Sequence, residues 1–367
     1  MDEATLQLLQ SFGFDRSRFE RLRESVRRDQ AHDNVVRGEI TPPHDDDLRT
    51  FPHLGSLERE RLAGLGLEAM RKGEVGAVVL AGGMATRFGG AVKAAVPAIR
   101  GKSFLELKIA DVAAAAEHAG RPLPLFVMTS FATHADIVRL LEELADERVR
   151  AFAFPQFVDV RLELDGSIAL DPDGRPSLYA PGHGDLPFAL VRSGLLDRFL
   201  SEGGRHLYMS NVDNLTSTLD PAVIGAHVDS GAELTALVAE KRPGDQGGAP
   251  ARVDGRLEIV EGFRFPPDFD QDRIPVFNTN TFVMDATRLG EPFDLDFFLV
   301  EKKVDGRTVL QFERLVGQLS AYLDTRCLVV ERSGPDGRFH PIKVPKDLER
   351  EAPEIERILV ARGILEP

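Results

Sequence analysis

The first 30 residues mix apolar and charged positions at helical spacing, so that Leu6, Leu9, Phe12, Phe19 and Leu22 can share one face. "TPPHDDDL" breaks that pattern with prolines that cannot continue a helix. A second amphipathic stretch, "LERERLAGLGLEAMRKG", follows, and residues 1–70 are expected to form a helical extension. The character changes at "VGAVVLAGG", where Val78, Val79 and Leu80 make a continuous apolar run suited to a strand buried on both faces. Similar runs recur in "LPLFVMTS", "RHLYMSNVDN", "ELTALVAEK" and "RCLVVERS", with helical patterns such as "FLELKIADVAAAAEHAG" and "HADIVRLLEELADE" between them. This alternation predicts an α/β fold on a mainly parallel sheet. "RLELDGSIALDPDGRPS" alternates at period two around Asp-Gly turns and predicts a hairpin insertion, as does "ARVDGRLEIVE". A charged helical pattern, "KDLEREAPEIERILVARG", closes the chain. The expected division is a helical segment to residue 70, one domain over 71–345 and a helical tail over 346–367.

Composition narrows the partners. The chain has 367 residues, 43% hydrophobic and 28% charged, with a formal net charge of −14. A surplus of acids argues against general affinity for nucleic acid or anionic membrane, while leaving room for a local basic pocket. Cys327 is the lone cysteine, so neither an internal disulfide nor a paired CxxC zinc site is possible. The start, "MDEATLQLLQ", lacks a signal-type apolar core, and no stretch approaches the roughly 20 apolar residues of a membrane span. A cytoplasmic location, with no obligate protein partner, is the expectation.

The chemistry centres on "LAGGMATRFGG", residues 80–90. It is not a P-loop, which needs four residues between its glycines and then Gly-Lys-Ser/Thr. Nor is it Gly-x-Gly-x-x-Gly. Glycines after a strand let the backbone approach a ligand closely, and successive amide N–H groups form an anion-binding concavity. Lys93 adds a full charge nearby. The competing reading is a tight turn that uses its glycines for geometry alone. Asp213, ending the apolar strand "HLYMSNVD", lies where ligands collect in open α/β sheets. A carboxylate there suits Mg²⁺, or else caps the helix that follows.

These segments resemble the UTP–sugar-1-phosphate uridylyltransferases, especially the UDP-glucose pyrophosphorylases. Their Leu-x-Gly-Gly-x-Gly-Thr-x-x-Gly loop and following lysine match at Leu80, Gly82, Gly83, Thr86, Gly89 and Lys93. The sequence departs at Ala85, where the family has glycine, and in "AVKAAVP", where it has Gly-Pro-Lys. "MTSFATHADI", "FPQF", "PGHGDLPFALVRSGLLDRFLSEGGRHLYMSNVDNL", "FNTNTFVMD" and "RFHPIK" are similar to further family segments in the family's order. Together they span about residues 77 to 346, some three-quarters of the chain.

The resemblance implies a doubly wound nucleotidyltransferase domain of GT-A-like type. It implies a reaction of UTP with a sugar 1-phosphate, giving UDP-sugar and pyrophosphate, with Mg²⁺ as cofactor. Lys93 and Lys343 then bind phosphates and Asp213 holds the metal. Leu80, Ala81, Gly82, Gly83, Thr86, Arg87, Met128, Gln156 and Gly182 contact UTP, Gln156 reading the uracil edge. His183, Asn211, Glu261 and Asn280 contact the sugar phosphate, with Glu261 aligning better than Glu258. Glucose is the favoured sugar. GlcNAc, galactose or a broader set, and a non-catalytic nucleotide-sugar-binding regulator, are the alternatives. Eukaryotic relatives carry a C-terminal β-helix beyond the second lysine. Only 24 residues follow Lys343 here, so that domain is not expected.

Overall fold

A computed structural model describes residues 3–28, 34–85, 88, 90–243, 245 and 247–367. Its centre is an eight-stranded sheet. In chain order the strands are β1 (Leu48–Thr50), β2 (Val75–Leu80), β3 (Leu123–Thr129), β4 (Val149–Pro155), β5 (His206–Asn211), β6 (Leu234–Glu240), β7 (Val276–Asp285) and β8 (Thr325–Val330). They lie side by side as β1-β8-β6-β7-β5-β2-β3-β4. β7 runs antiparallel to both of its neighbours, and every other pairing is parallel.

Side chains alternate between two cores, as period-two geometry demands. Val75, Ala77 and Val79 of β2 face one core, and Val78 faces the other. The first core is covered by α3 (Leu57–Lys72), α4 (Phe104–Ala119), α5 (His134–Glu143), α8 (Pro221–Ser230) and α9 (Pro345–Ala361). The second is covered by α6 (Leu186–Arg192), α7 (Leu195–Ser201) and the hairpin of strands Ala249–Val253 and Arg256–Val260. Helix ends follow their sequence signals. Ser103 Oγ accepts from Glu106 N at 3.1 Å to start α4, and Gly120 ends it in the left-handed region.

The first 70 residues do not stand apart from the rest. α1 (Glu3–Ser11) and α2 (Arg16–Arg27) are helical and bury Leu9 and Phe19 against Val158, Val160 and Phe312. β1, however, is an edge strand of the central sheet, and Ile40–Thr41 pairs with the 249–253 strand. α3 buries Leu62, Ala69 and Met70 in the main core. The end of the chain is likewise integrated, through Ile355 and Leu359 of α9. Both helices are amphipathic, and their apolar faces need a covered sheet to bury against.

The hairpin expected at "ARVDGRLEIVE" forms, turning on Asp254 and Gly255 with φ of 48° and 81°. "RLELDGSIALDPDGRPS" instead folds mainly as tight turns with the isolated bridges Leu162–Ile168 and Leu170–Pro176. Outside the segment, Leu162 exchanges backbone hydrogen bonds with Leu310, at 2.9 and 2.7 Å. A hairpin not anticipated from sequence, Phe298–Val304 with Arg307–Glu313, packs Leu310 and Phe312 beneath the N-terminal helices. Among the described residues, no helix is long and apolar enough to cross a membrane.

Candidate active site

β2 lies between β5, reached late in the chain, and β3, reached next. The strand order reverses there, so a crevice opens at the carboxyl ends of these strands. A cavity of about 520 Å³ occupies it. Leu80 and Asn211, the final residues of β2 and β5, are register partners on its floor. Met128 near the end of β3 and Gln156 just past β4 form one wall. β7, entering from the opposite direction, supplies Asn278, Thr279 and Asn280.

At the β3–β4 end, the Gln156 side chain is buried and its Oε1 has no hydrogen-bond partner. Its Nε2 lies 2.3 Å from where a Cβ on Gly82 would project. A Cβ at this position would displace that amide. Gly83 also lines the cavity, whereas Ala81 does not. Ala81 is buried, its N–H donates to Met128 O at 2.8 Å, and its carbonyl accepts from Thr133 Oγ1 at 3.3 Å. Expected at the nucleotide, Ala81 supports the wall from behind because its amide proton is already committed. Thr86 and Arg87 lie outside the described residues.

At the β5 end, Lys93 Nζ donates to Asp213 Oδ2 at 2.9 Å and to the carbonyl of Ile342. Asp213 in turn accepts from Ile342 N through its own carbonyl at 3.0 Å. The loop after β8 is thereby laced to the end of β5. That loop brings Lys343 to the cavity rim, exposed, with no ion-pair or hydrogen-bond partner for its ammonium among the described residues.

His183 and Gly182 come from the turn before α6. A Cβ on Gly182 would lie 2.6 Å from Arg314 O, and the turn is tied there by Arg314 N donating to Pro181 O at 2.8 Å. His183 Nδ1 accepts from Val316 N at 2.9 Å, which leaves Nε2 as the protonated nitrogen of a neutral ring. Burial pushes that imidazole down to about 4, so it is a neutral donor and not a cation.

The last wall is built around a bulge. β6 pairs Leu237 with Thr281 and then Val238 with Asn278, so Thr279 and Asn280 are extra residues on β7. Asn280 takes φ of 56°, and its Nδ2 reaches Asn211 Oδ1 at 3.0 Å. Glu261 faces the same region beside Gly248. Burial pushes its carboxyl up to about 7, with Arg264 opposing.

Of the residues singled out from sequence, Lys93, Lys343, Asp213, Leu80, Gly82, Gly83, Met128, Gln156, Gly182, His183, Asn211, Glu261 and Asn280 line this one cavity. Sequence reasoning missed two buried supports. Lys108 Nζ donates to Ser210 Oγ, Asn214 O and Ser217 O at 3.1, 2.8 and 2.7 Å, bracing the turn that carries Asp213. Arg314 Nε donates to Asp185 Oδ1 at 2.6 Å and stacks on Phe188, holding the His183 turn. The first hides on an apolar helix face, and the second joins residues 129 apart.

Residues 16–351 match the model of the UTP–glucose-1-phosphate uridylyltransferase family. Among curated proteins, the chain is 28% identical over 299 residues to a UTP–glucose-1-phosphate uridylyltransferase of Musa acuminata, covering 77% of this chain and 63% of that one. It is also 28% identical over 327 residues to UTP–glucose-1-phosphate uridylyltransferase 2 of Dictyostelium discoideum, covering 84% and 63%. The chain therefore spans less than two-thirds of the length of these relatives. Among solved structures it resembles a uridine diphosphate N-acetylglucosamine pyrophosphorylase of Trypanosoma brucei, with TM-score 0.77, 21% identity and 95% and 79% coverage. A UDP-glucose phosphorylase of the same organism gives TM-score 0.73, 21% identity and 97% and 77% coverage. Those two likenesses concern the fold.

Proposed function

The chain belongs to the UTP–glucose-1-phosphate uridylyltransferase family, and from that premise we propose that it converts UTP and glucose 1-phosphate to UDP-glucose and pyrophosphate. One observation carries the reading. A single cavity offers a buried amide at Gln156 whose oxygen has no partner, a cluster of Lys93, Asp213 and Lys343, and a polar wall of Glu261 and Asn280. These three groups suit a base, a chain of phosphates and a sugar, in that order.

The Gln156 amide has one acceptor and two donors, matching the N3–H and a carbonyl of uracil. A phosphate oxygen of glucose 1-phosphate attacks the α-phosphorus of UTP, an O–P bond forms, and the bond to the pyrophosphate leaving group breaks. The attacking oxygen is already anionic near neutral pH, so no general base is required, and neutral His183 serves as a donor. The work of the protein is to align two polyanions and offset their repulsion. Lys93 and Lys343 supply fixed positive charge at the phosphates. Asp213 fits Mg²⁺, since this cation commonly takes one or two carboxylates plus substrate phosphates, and the carboxylate borders the cavity. Bound there, the ion would neutralise phosphate charge. Both substrates are water-soluble anions, and a cytoplasmic enzyme is the matching setting.

Pyrophosphate release, measured across UTP and CTP and across glucose, galactose and N-acetylglucosamine 1-phosphates, tests the proposal. Fastest turnover with UTP and glucose 1-phosphate is expected. No release with any pair, alongside tight UDP-glucose binding, would point to a regulator instead.

A further inference from the structure

Behind the loop that carries Lys343, His340 meets the second and third turns of α9. Its side chain is only 3% exposed, and Nε2 makes no hydrogen bond. A chain of bonds fixes which ring nitrogen holds the proton. Asn214 Nδ2 donates to Arg338 O at 2.9 Å, and Asn214 Oδ1 accepts from His340 N at 3.1 Å, which orients the amide. Thr216 Oγ1 donates to the same Oδ1 at 3.3 Å. With its one proton used there, Thr216 Oγ1 accepts from His340 Nδ1 at 3.0 Å. His340 Nε2 therefore presents a lone pair.

That lone pair faces acids. Glu354 Oε1 is 3.5 Å from Nε2, and Glu351 stands one turn earlier on the same face of α9. The ligand atoms of His340, Glu351 and Glu354 all lie within 4.8 Å of one another. Each acid is held in place, Glu354 by Gly334 N at 2.6 Å and Glu351 by Arg350 Nε at 2.6 Å. A buried lone pair turned toward carboxylates is repulsive, and the separation is too long for a good hydrogen bond. It is, however, the spacing of two ligands that share one small cation, since bonds of roughly 2.0 Å at tetrahedral angles place ligand atoms roughly 3.3 Å apart.

We propose that His340, Glu351 and Glu354 bind a transition-metal dication of the Zn²⁺ class, with water completing the shell. One imidazole and two carboxylates suit Zn²⁺, whereas Mg²⁺ favours oxygen alone. The Thr216 hydroxyl holds the far side of the imidazole, as the outer partners of metal-bound histidines do. The role is structural. The ion pins α9 to the loop whose Ile342 bonds Lys93 and Asp213, and so fixes the approach of Lys343.

The test uses the whole chain, stripped with a chelator, dialysed and kept in excess Mg²⁺ so that Asp213 does not compete for Zn²⁺. Titration with Zn²⁺ by calorimetry, with metal analysis, is expected to show one ion per chain and a rise in Tm. His340 sits in a buried network and its variants can misfold, so the half-buried acids Glu351 and Glu354 carry the test. E351Q and E354Q should each weaken Zn²⁺ binding at least about tenfold, whereas D213N should bind as the parent does. Co²⁺ should give visible d–d bands that E351Q diminishes. Absence of Zn²⁺ binding by the parent, parent-like binding by both Glu variants, or loss of binding in D213N would overturn the proposal.

Discussion

Lys93 and Asp213, 120 residues apart, are joined by a 2.9 Å contact that puts a cation and a carboxylate side by side on the cavity wall. Lys93 leaves the glycine loop and Asp213 leaves β5, so the pair couples the ends of two neighbouring parallel strands. Losing either member changes the other. Lys93→Met keeps most of the stem and deletes the charge, and should lower kcat/KM about a hundredfold or more. Asp213→Asn should lower it by a similar factor. The double variant should fall well short of the product of the two, because each single change already strands its partner. Unliganded stability should drop by only about 1 kcal/mol in Lys93→Met. A strictly multiplicative double variant would mean that the pair is incidental to turnover.

Gln156 and Gly82 make a second pair that can be tested from both sides. Gln156→Leu removes the base-reading amide, and Gly82→Ala drives a methyl into the space beside its Nε2, 2.3 Å from the projected Cβ. Both should reduce kcat/KM for UTP by about tenfold to a hundredfold, the worth of a buried hydrogen bond lost. Both should reduce it less for CTP, shrinking the preference between the two. Steady-state kinetics with the two triphosphates would show it. A Gly82→Ala enzyme with unchanged selectivity would detach the loop from base recognition.

How far the sequence foretold this site follows from how local each signal is. Strand-end motifs such as "SNVDN" carry their geometry with them, since a parallel strand's carboxyl end is where the crevice opens. Asn211 and Asp213 were legible for that reason. The bulge that turns Asn280 toward Asn211 was not, because it arises from register against β6 and not from "NTNTF" alone. Nor was the Asp185–Arg314 pair, whose members are brought together only by the turn before α6 packing on the 314–316 segment. β1 escaped notice because three residues carry too little periodicity to separate a strand from a loop. Ala81 misled in the opposite direction. It belongs to the motif, yet its amide serves the sheet.

Lys108 should act through the turn it braces. Burial pushes its ammonium down to about 8, with Asp111 opposing, and burial pushes the Asp111 carboxyl up to about 6, with Lys108 opposing. Lys108→Met would leave the carbonyls of Asn214 and Ser217 and the Asp111 carboxyl without their cation. A stability loss of roughly 3 kcal/mol in urea unfolding is expected. At temperatures where the variant is folded, kcat should fall while the KM for UTP changes little, since the turn sets Asp213 and not the base site. A variant as stable as its parent would show that these bonds do not hold the turn.

Glu261 provides the pH test. Its carboxyl is pushed up to about 7 from an ordinary value of 4.5, mainly by burial. Between those two values the folded protein holds a proton that the unfolded chain has released. The stability this contributes is complete below about 4.5 and is lost as pH rises through about 7. The Tm of the free protein should therefore decline across that window relative to Glu261→Gln, which cannot titrate there. Binding should run the other way. Sugar hydroxyls donate hydrogen bonds, and the carboxylate is the stronger acceptor. Affinity for UDP-glucose should rise as pH passes through about 7 and then level off, and Glu261→Gln should flatten that rise. Thermal unfolding from about pH 4.5 to 7.5 would check the first limb, and calorimetric titrations with UDP-glucose from about pH 5.5 to 8.5 the second. If the affinity profile keeps its inflection in the Gln variant, the titrating group is elsewhere and Glu261 does not touch the sugar.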